Sequence, residues 1–369
     1  MAEFIFDPKK LKDGLSLARI IKPEIGDFNI KFDNSSMVIS SADKRKYIKV
    51  VIPAESSPAD FELNETYVSL DRIALFDTEL DSVSIGVNDK TLSVKMQGGD
   101  QIRRASIPKK IVRIKMPDPS VGLGDATKSS IDKNLFDNLL RQISCSALIK
   151  ETKTEEDMRI NQIHFYSDQN CAVSNARYYG SIAFLDGMQL DLSIISSDIP
   201  IIRAFCAKCL GSTIDLSCNE QKLCVADPET GSTLILGRIT TPKPALTILD
   251  SADFQTEVFI DREQFAKNLS WASLVIEGTQ RLGIHAQDGQ MKLFFGQDEI
   301  SNFPVKFVKG DEIKADFPIN VLVNMIGFIE KIVVLRFHHQ KTPTILEVSQ
   351  GEGAAVKSLH YLQSMRVHQ

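Results

Sequence analysis

The sequence has no apolar run that could cross a membrane. Its most apolar region, residues 319–337, is interrupted by charged side chains such as Glu330 and Lys331. Residues 1–4 do not begin the basic and then apolar stretch that marks a signal peptide. The six cysteines are scattered along 369 residues, which is typical of reduced thiols. We therefore expect a cytoplasmic protein without a membrane partner.

Motifs of a catalytic centre are also missing. The chain contains neither Gly-x-Ser-x-Gly nor His-Glu-x-x-His, and we expect the pair at 338 and 339 to be exposed histidines on a strand or turn. Residues 122–129 approach a phosphate-binding loop, but Thr127 occupies a position that requires glycine. A zinc site could be built from four cysteines, Cys206, Cys209, Cys218 and Cys224. The first two lie in an apolar helical pattern, where cysteine packs as a small apolar residue. We expect no enzyme activity, no metal and no cofactor.

One pattern recurs three times at the spacing of a whole domain. An aspartate precedes an amphipathic segment at Asp7, Asp132 and Asp261, and these positions are 125 and then 129 residues apart. Solenoid repeats recur every few tens of residues, so this period indicates a repeated domain. A chain that triplicates one domain and carries no catalytic motif is expected to build a shape.

Each repeat contains the same order of predicted elements. The aspartate caps a helix, because its carboxylate accepts hydrogen bonds from N–H groups of the first helical turn. A hairpin, a further strand, a second helix and a closing hairpin follow. The second helices are predicted at 69–80, 198–210 and 318–330, the first hairpins at 30–39, 163–173 and 284–293, and the closing hairpins at 83–94, 213–226 and 332–348.

These elements predict an α+β fold of three repeated domains, each with two helices packed on antiparallel sheets. Antiparallel strands bury one face of a sheet, so the helices must cover that face. The predicted boundaries are 1–119, 127–245 and 252–369, with proline-containing linkers between the domains. A content of 43% apolar residues supplies enough material for several packed cores.

Basic side chains recur on the predicted helices although the formal net charge is −5. On the first helix, Lys9, Lys12 and Arg19 share a face opposite the apolar stripe. The equivalent helices carry further basic residues: Lys133, Arg141, Arg203, Lys208, Arg262 and Lys267. Ordinary solvated surface explains any one of them, but their recurrence favours binding of a polyanion through its backbone. No aromatic platform accompanies them, so we do not expect base sequence to be read.

With three similar domains, two helices and two hairpins each, and basic helices in an acidic chain, the sequence resembles the bacterial-type DNA polymerase sliding clamps, the DNA polymerase III beta subunit family. The resemblance covers essentially the full length and is sharpest at 258–367. It implies a diverged bacterial or phage-encoded member, located in the bacterial or host cytoplasm. It also implies a replication processivity factor that encircles double-stranded DNA independently of base sequence.

The resemblance further implies a ring of six domains made by a head-to-tail homodimer, with the helices around the hole. The edge strand at the end of domain 1, with Ile102 and Arg104, would meet Leu274 and Val275 on the first helix of domain 3 of the other subunit. Pairing of edge strands would cover edges that otherwise promote aggregation. The residues alone leave open the alternative that Leu274 and Val275 belong to the core.

Members of this family bind the polymerase, the clamp loader and other replication proteins through short peptides that dock between domains 2 and 3. The matching groove residues here are Asn175, Arg177, Tyr178, Tyr179, Pro242, Leu246, Thr247, Leu362, Gln363, Ser364, Met365, Arg366 and Val367. The sequence departs from the family in two places. Ala-Arg-Tyr-Tyr at 176–179 replaces the usual Asp-Gly-His-Arg loop, and Gln-Ser-Met-Arg-Val at 363–367 replaces the usual Met-Pro-Met-Arg-Leu ending. We expect the groove to persist with a changed peptide preference.

Two alternatives stay open at this point. A three-domain peptide-binding scaffold that never encircles DNA would show no salt-sensitive association with DNA. An enzyme whose site is assembled across domains would leave no linear motif, but no strong nucleophile, base or metal cluster emerges to support it.

Overall fold

A computed structural model of the protein describes residues 2–22, 27–33, 35–58, 61–69, 80–110, 127–144, 162–175, 179–238, 243, 254–276, 281–310, 312–329, 331–338, 345–350 and 356–363. The chain splits into two compact units, Met1–Asn134 with Pro200–Arg238, and Leu135–Ile199 with Ile239–Gln369. All pairings between the described strands are antiparallel. Among these residues, no helix has both the length and the apolar character needed to span a bilayer.

The described strands and helices follow one another in a strand-rich order. The strands are β1 (Ala2–Phe6), β2 (Phe28–Asp33), β3 (Ser36–Ala42), β4 (Lys46–Pro53), β5 (Glu62–Val68), β6 (Ser82–Val87), β7 (Thr91–Gly98), β8 (Gln101–Pro108), β9 (Thr127–Asp132), β10 (Gln162–Tyr166), β11 (Cys171–Asn175), β12 (Tyr179–Phe184), β13 (Ser193–Ile195), β14 (Thr213–Cys218), β15 (Lys222–Ala226), β16 (Thr233–Gly237), β17 (Thr256–Asp261), β18 (Arg281–Gln287), β19 (Gln290–Phe295), β20 (Asp298–Pro304), β21 (Lys306–Lys309), β22 (Glu312–Pro318), β23 (Ile332–His338), β24 (Ile345–Gln350) and β25 (Lys357–Gln363). The helices are α1 (Pro8–Ala18), α2 (Lys133–Ser144), α3 (Ile199–Lys208), α4 (Arg262–Val275) and α5 (Ile319–Ile326), with 3₁₀ turns at Ser167–Gln169 and Ser196–Asp198.

The first unit contains a four-stranded sheet, β1-β6-β7-β8, and an eight-stranded sheet, β5-β2-β3-β4-β16-β15-β14-β9. The longer sheet continues from the first repeat into the second through the pairing of β4 with β16, where Ile48 lies opposite Leu234. Helix α1 covers β4 with Leu11 and Leu15, which are fully buried. The alternation of buried and half-buried residues along β4 leaves one face for this contact.

The second unit contains a nine-stranded sheet, β13-β10-β11-β12-β25-β24-β23-β17-β21, and a four-stranded sheet, β20-β19-β18-β22. Here the pairing of β12 with β25 joins the second repeat to the third. Helices α4 and α5 contact each other and share one core, in which Phe265 and Leu269 of α4 meet Leu322 and Met325 of α5. The predicted α+β fold, with helices packed on antiparallel sheets, is confirmed.

The three aspartates cap helices as predicted. The carboxylates of Asp7 and Asp261 accept hydrogen bonds from the backbone N–H groups of Lys10 and Gln264, at 2.7 and 2.9 Å. The carboxylate of Asp132 accepts from the N–H of Asn134 at 2.8 Å, one residue earlier in the first turn. All three helices therefore start directly after the aspartate that caps them, as N-cap preferences predict.

The predicted hairpins are also present, at β2–β3, β10–β11, β18–β19, β6–β7, β14–β15 and β23–β24. The β18–β19 turn uses Asp288 and Gly289, both with positive φ (52° and 75°), as a tight two-residue hairpin turn requires. Of the second helices, α3 and α5 are shorter than predicted, and most of 69–80 lies outside the described residues. Helix α5 ends at Ile326 with Gly327 as its cap, whereas the buried Ile329 continues the apolar spacing without being helical. The apolar spacing therefore extends beyond the C-terminal end of the helix.

Candidate functional site

The basic residues of the first helix differ in their exposure. Lys9 and Lys12 of α1 are exposed. Arg19 lies one residue beyond the end of α1 as its cap, is half-buried, and donates its backbone N–H to the carbonyl of Leu15. The predicted common face therefore consists of Lys9 and Lys12, while the side chain of Arg19 is partly withdrawn from solvent.

Two further basic residues of the first unit have partners of their own. The ammonium of Lys208, at the end of α3, pairs with the carboxylate of Asp13 on α1 at 2.5 Å. The ammonium of Lys133 donates to the carbonyl of Cys209 at 2.8 Å. Both groups would have to give up or share these bonds to contact a polyanion. Arg203 is half-buried on α3.

In the second unit the structure brings two predicted basic residues together. Arg141 of α2 and Arg262, the first residue of α4, line one pocket of about 320 Å³. The guanidinium of Arg141 is exposed and lies over the ring of Phe328, 5.7 Å from its centroid, whereas Arg262 is half-buried. Lys267 is exposed one and a half turns further along α4 and does not line this pocket.

The residues assigned to subunit contact have exposed side chains, and all but Arg104 are apolar. Ile102 on β8 is 53% exposed, and Arg104 is exposed beside it. Leu274 and Val275 at the end of α4 are 78% and 44% exposed, so the alternative that they belong to the core is wrong. Strand β8 ends its sheet in the described part of the chain, which leaves its outer edge unpaired.

Sequence reasoning missed Trp271, which is 57% exposed and lies one turn before Leu274 and Val275 on α4. Its spacing of three and four residues from them puts the three side chains on one helical face. The chain contains a single tryptophan, and its place in this i, i+3, i+4 pattern was the available signal. Single exposed apolar residues are ordinary, but a contiguous exposed patch marks an interaction surface.

Few residues of the expected peptide groove fall within the described part of the chain. Tyr179 on β12 is the register partner of Leu362 on β25, and Tyr179 packs half-buried against the core that contains Leu362. Asn175 and Gln363 end β11 and β25. The remaining groove positions lie outside the described residues: Arg177, Tyr178, Pro242, Leu246, Thr247, Ser364, Met365, Arg366 and Val367.

The cysteines considered for zinc are buried and are not disulfide-bonded. Burial raises the pKa of Cys224 to about 11, and it also raises the pKa values of Cys209 and Cys218, so the metal-binding thiolate form is disfavoured. Within the described ranges, no group of three or more histidine, cysteine, aspartate or glutamate side chains is arranged to hold a metal ion.

The expectation that His338 is exposed is wrong, because its side chain is 1% exposed on β23. Its ring lies near the buried carboxylate of Glu347, with a Nε2 to Oε2 distance of 3.8 Å. Arg336 holds the same carboxylate at 2.8 Å and that of Glu257 at 2.6 Å. This row of paired charges crosses β17, β23 and β24, and the pairing is what makes burial of the carboxylates tolerable. We therefore interpret the row as part of the sheet's structure.

Comparison with solved structures identifies the fold. The beta subunit of DNA polymerase III from Thermotoga maritima superposes with a TM-score of 0.77 at 13% sequence identity, over 100% of both chains. The corresponding subunit from Pseudomonas aeruginosa gives a TM-score of 0.78 at 13% identity, covering 99% of this chain and all of that one. This chain has the sliding-clamp fold. The DNA polymerase sliding clamp from Caulobacter crescentus agrees, with a TM-score of 0.75, 15% identity, and coverage of 99% of this chain and 100% of that one.

The sliding-clamp fold was the expectation from sequence, and it is confirmed. No protein-family model and no curated protein sequence matches the chain. At 13–15% identity to the solved structures, the likeness lies in the arrangement of the elements.

Proposed function

We propose that this protein is a DNA sliding clamp, a non-enzymatic replication processivity factor that encircles duplex DNA. The observation that carries the proposal is the superposition over the full length of both chains. A scaffold that only bound peptides would need no repeat of basic helices on a ring-building fold. The domains are proposed to be 1–119, 127–245 and 252–369, and the location the cytoplasm of a bacterium or of a phage-infected host.

The exposed cations of the helices support DNA contact. Lys9 and Lys12 on α1, Arg141 on α2 and Lys267 on α4 are exposed and belong to equivalent first helices of the three repeats. Contacts from such residues to phosphates add affinity without base information, which suits a protein that must slide. Lys133 and Lys208 are expected to contribute less, because a carbonyl and a carboxylate already engage their ammonium groups.

The exposed apolar residues support a head-to-tail homodimer. In the described part of the second unit, β20 ends its sheet and adjoins α4, where Ser301 donates a hydrogen bond to Asn268. The Trp271, Leu274 and Val275 patch and the edge of β20 would meet Ile102, Arg104 and the edge of β8 on a second copy. A head-to-tail contact closes into a ring when its rotation permits, and it covers both edges.

The pairing of Tyr179 with Leu362 supports a peptide groove between the second and third repeats. Tyr179 is the last residue of the segment that departs from the family pattern, and its partner Leu362 lies on the strand that precedes the altered C-terminal segment. We propose that the polymerase and the clamp loader bind there through short peptides, with a preference changed by these substitutions.

Replacement of both Lys9 and Lys12 with glutamate tests the DNA contact. We expect the affinity for a short linear duplex, measured by fluorescence anisotropy, to fall at least about tenfold, and the salt slope to decrease by about 0.9 per lost phosphate contact. Lys90→Glu is the control, because this exposed lysine lies in the turn after β6 and not on a helix. Equal salt-dependent affinity for both variants would refute the assignment. A wild-type protein with no salt-sensitive binding would favour the peptide scaffold.

A further inference from the structure

The pocket shared by Arg141 and Arg262 has the features of a built anion site. It encloses about 320 Å³ between α2 and the turn that follows α5. Asp137, Asn138, Gln142 and residues 327–329 complete its wall. The side chain of Gln142 is fixed, since its amide donates to the carbonyl of Phe328 at 3.1 Å and its oxygen accepts from Ser358 at 3.0 Å.

The charges of the wall favour a singly charged anion. Two guanidinium groups and one carboxylate, that of Asp137, leave a formal charge of +1. The Nε of Arg262 is buried and has no hydrogen-bond partner among the described residues. A buried donor without a partner is costly unless a ligand or water completes it. Phe328 meanwhile holds the guanidinium of Arg141 at the pocket.

The equivalent place in the first unit is closed. The repeat offset of 125 residues aligns Asn138 with Asp13, and alignment of α5 with α3 from their first residues matches Phe328 with Lys208. In the first unit Asp13 and Lys208 form an ion pair, and the cavity beside them measures about 30 Å³. In the second unit an amide and a ring replace that pair, and the space is about ten times larger. The larger space therefore goes together with replacement of the Asp13 carboxylate by the amide of Asn138, and with the presence of Arg141 and Arg262 in the wall.

We propose that this pocket binds one phosphodiester group of the DNA backbone, held jointly by Arg141 and Arg262. The inference rests on the proposed function. Guanidinium forks match the oxygens of a phosphate, and the amide of Asn138 supplies a further neutral donor. The singly charged phosphodiester balances the charge of the wall, and the open side of the pocket admits the flanking sugars. This site would give the ring one defined contact to a DNA phosphate, whereas the other exposed cations attract the DNA backbone without a defined site.

The test compares arginine removal with carboxylate insertion. Arg141→Gln and Arg262→Gln should each lower duplex affinity about tenfold in low salt, because each loses a charge-assisted hydrogen bond. If both hold one phosphate, the double variant loses less than the product of the two single losses. Asn138→Asp keeps both arginines but gives them an internal partner, as Asp13 does for Lys208, and should weaken binding likewise. Asp13→Asn and Lys90→Gln are the controls, and neither should reduce affinity.

The outcomes separate this inference from the proposed function. Wild-type binding that depends on salt, together with unchanged binding by the arginine variants and Asn138→Asp, overturns the pocket but leaves the clamp intact. If the affinity loss of the double variant equals the product of the two single losses, the proposal that both arginines hold one phosphate is overturned. Absence of salt-dependent wild-type binding overturns both. Replacing chloride by inorganic phosphate at constant ionic strength distinguishes a phosphate of DNA from the free ion. If millimolar phosphate lowers the duplex affinity of the wild-type protein to that of Arg262→Gln, the free ion occupies the pocket and the proposal is overturned.

Discussion

Replacement of Leu274 with alanine should weaken the dimer without weakening the fold. The side chain is 78% exposed at the end of α4, so it contributes little to the core of its own chain. Burial of a whole leucine side chain is worth about 2 kcal/mol, so covering this exposed fraction is worth about 1.6 kcal/mol. Alanine would retain about 0.5 kcal/mol of that, which leaves a loss of about 1 kcal/mol at each interface.

A closed head-to-tail dimer has two such interfaces, so the total loss is about 2 kcal/mol and the dissociation constant should rise roughly 30-fold. Sedimentation equilibrium measures this directly, as a shift from a dimer of about 82 kDa toward the 41.1 kDa chain. Leu210→Ala is the matched control, because Leu210 is 44% exposed but lies after α3 and outside the proposed interface. An unchanged dissociation constant for Leu274→Ala, or an equal rise for Leu210→Ala, would show that Leu274 does not lie at the subunit interface.

Three further predictions concern the core. Burial lowers the pKa of His360 to about 4 from 6.5, so the unfolded chain takes up this proton at a higher pH than the folded chain. The free energy of unfolding should therefore fall as the pH drops from about 6.5 toward 4. Urea titrations of His360→Asn should show a flatter pH dependence of that free energy in the same window. Gly14→Ala should destabilise the protein by about 1–3 kcal/mol in thermal unfolding, because the new Cβ would lie 2.5 Å from Ile52, whereas alanine at the exposed Ser16 of the same helix should be neutral. The sixth cysteine, Cys145, lies outside the described residues and is replaced with serine for this test. The five described cysteines are buried, so they should resist iodoacetamide at pH 8 and react only in denaturant. Rapid labelling of the native protein would contradict their placement.

The parts of the fold that follow from neighbours in sequence were predictable. Caps at Asp7, Asp132 and Asp261 depend on one side chain and the N–H groups of the next turn, and hairpins depend on alternation around a turn. The end of α5 was not predictable, because the apolar spacing continues through Ile329 although the helix ends at Ile326. Ile329 is apolar because it is buried, although it is not part of the helix.

The sites were less predictable because they depend on residues far apart in the chain. Basic residues could be placed on helices, but the Lys208 to Asp13 pair and the carbonyl that holds Lys133 require the tertiary fold. The pocket between Arg141 and Arg262 likewise joins segments more than a hundred residues apart. Exposure of Leu274 could not be separated from burial by periodicity alone, since an apolar stripe indicates either a core face or an interface.

Encirclement of duplex DNA makes retention depend on whether the DNA is circular or linear. The protein is assembled on a nicked circular plasmid, with a clamp loader where spontaneous ring opening is too slow, and is then isolated in salt high enough to abolish binding to linear duplex. We predict that the protein stays with the circle and is released when a restriction enzyme linearises it. Loss from the intact circle at the rate seen for linear DNA, or retention after linearisation without a block at the ends, would contradict it.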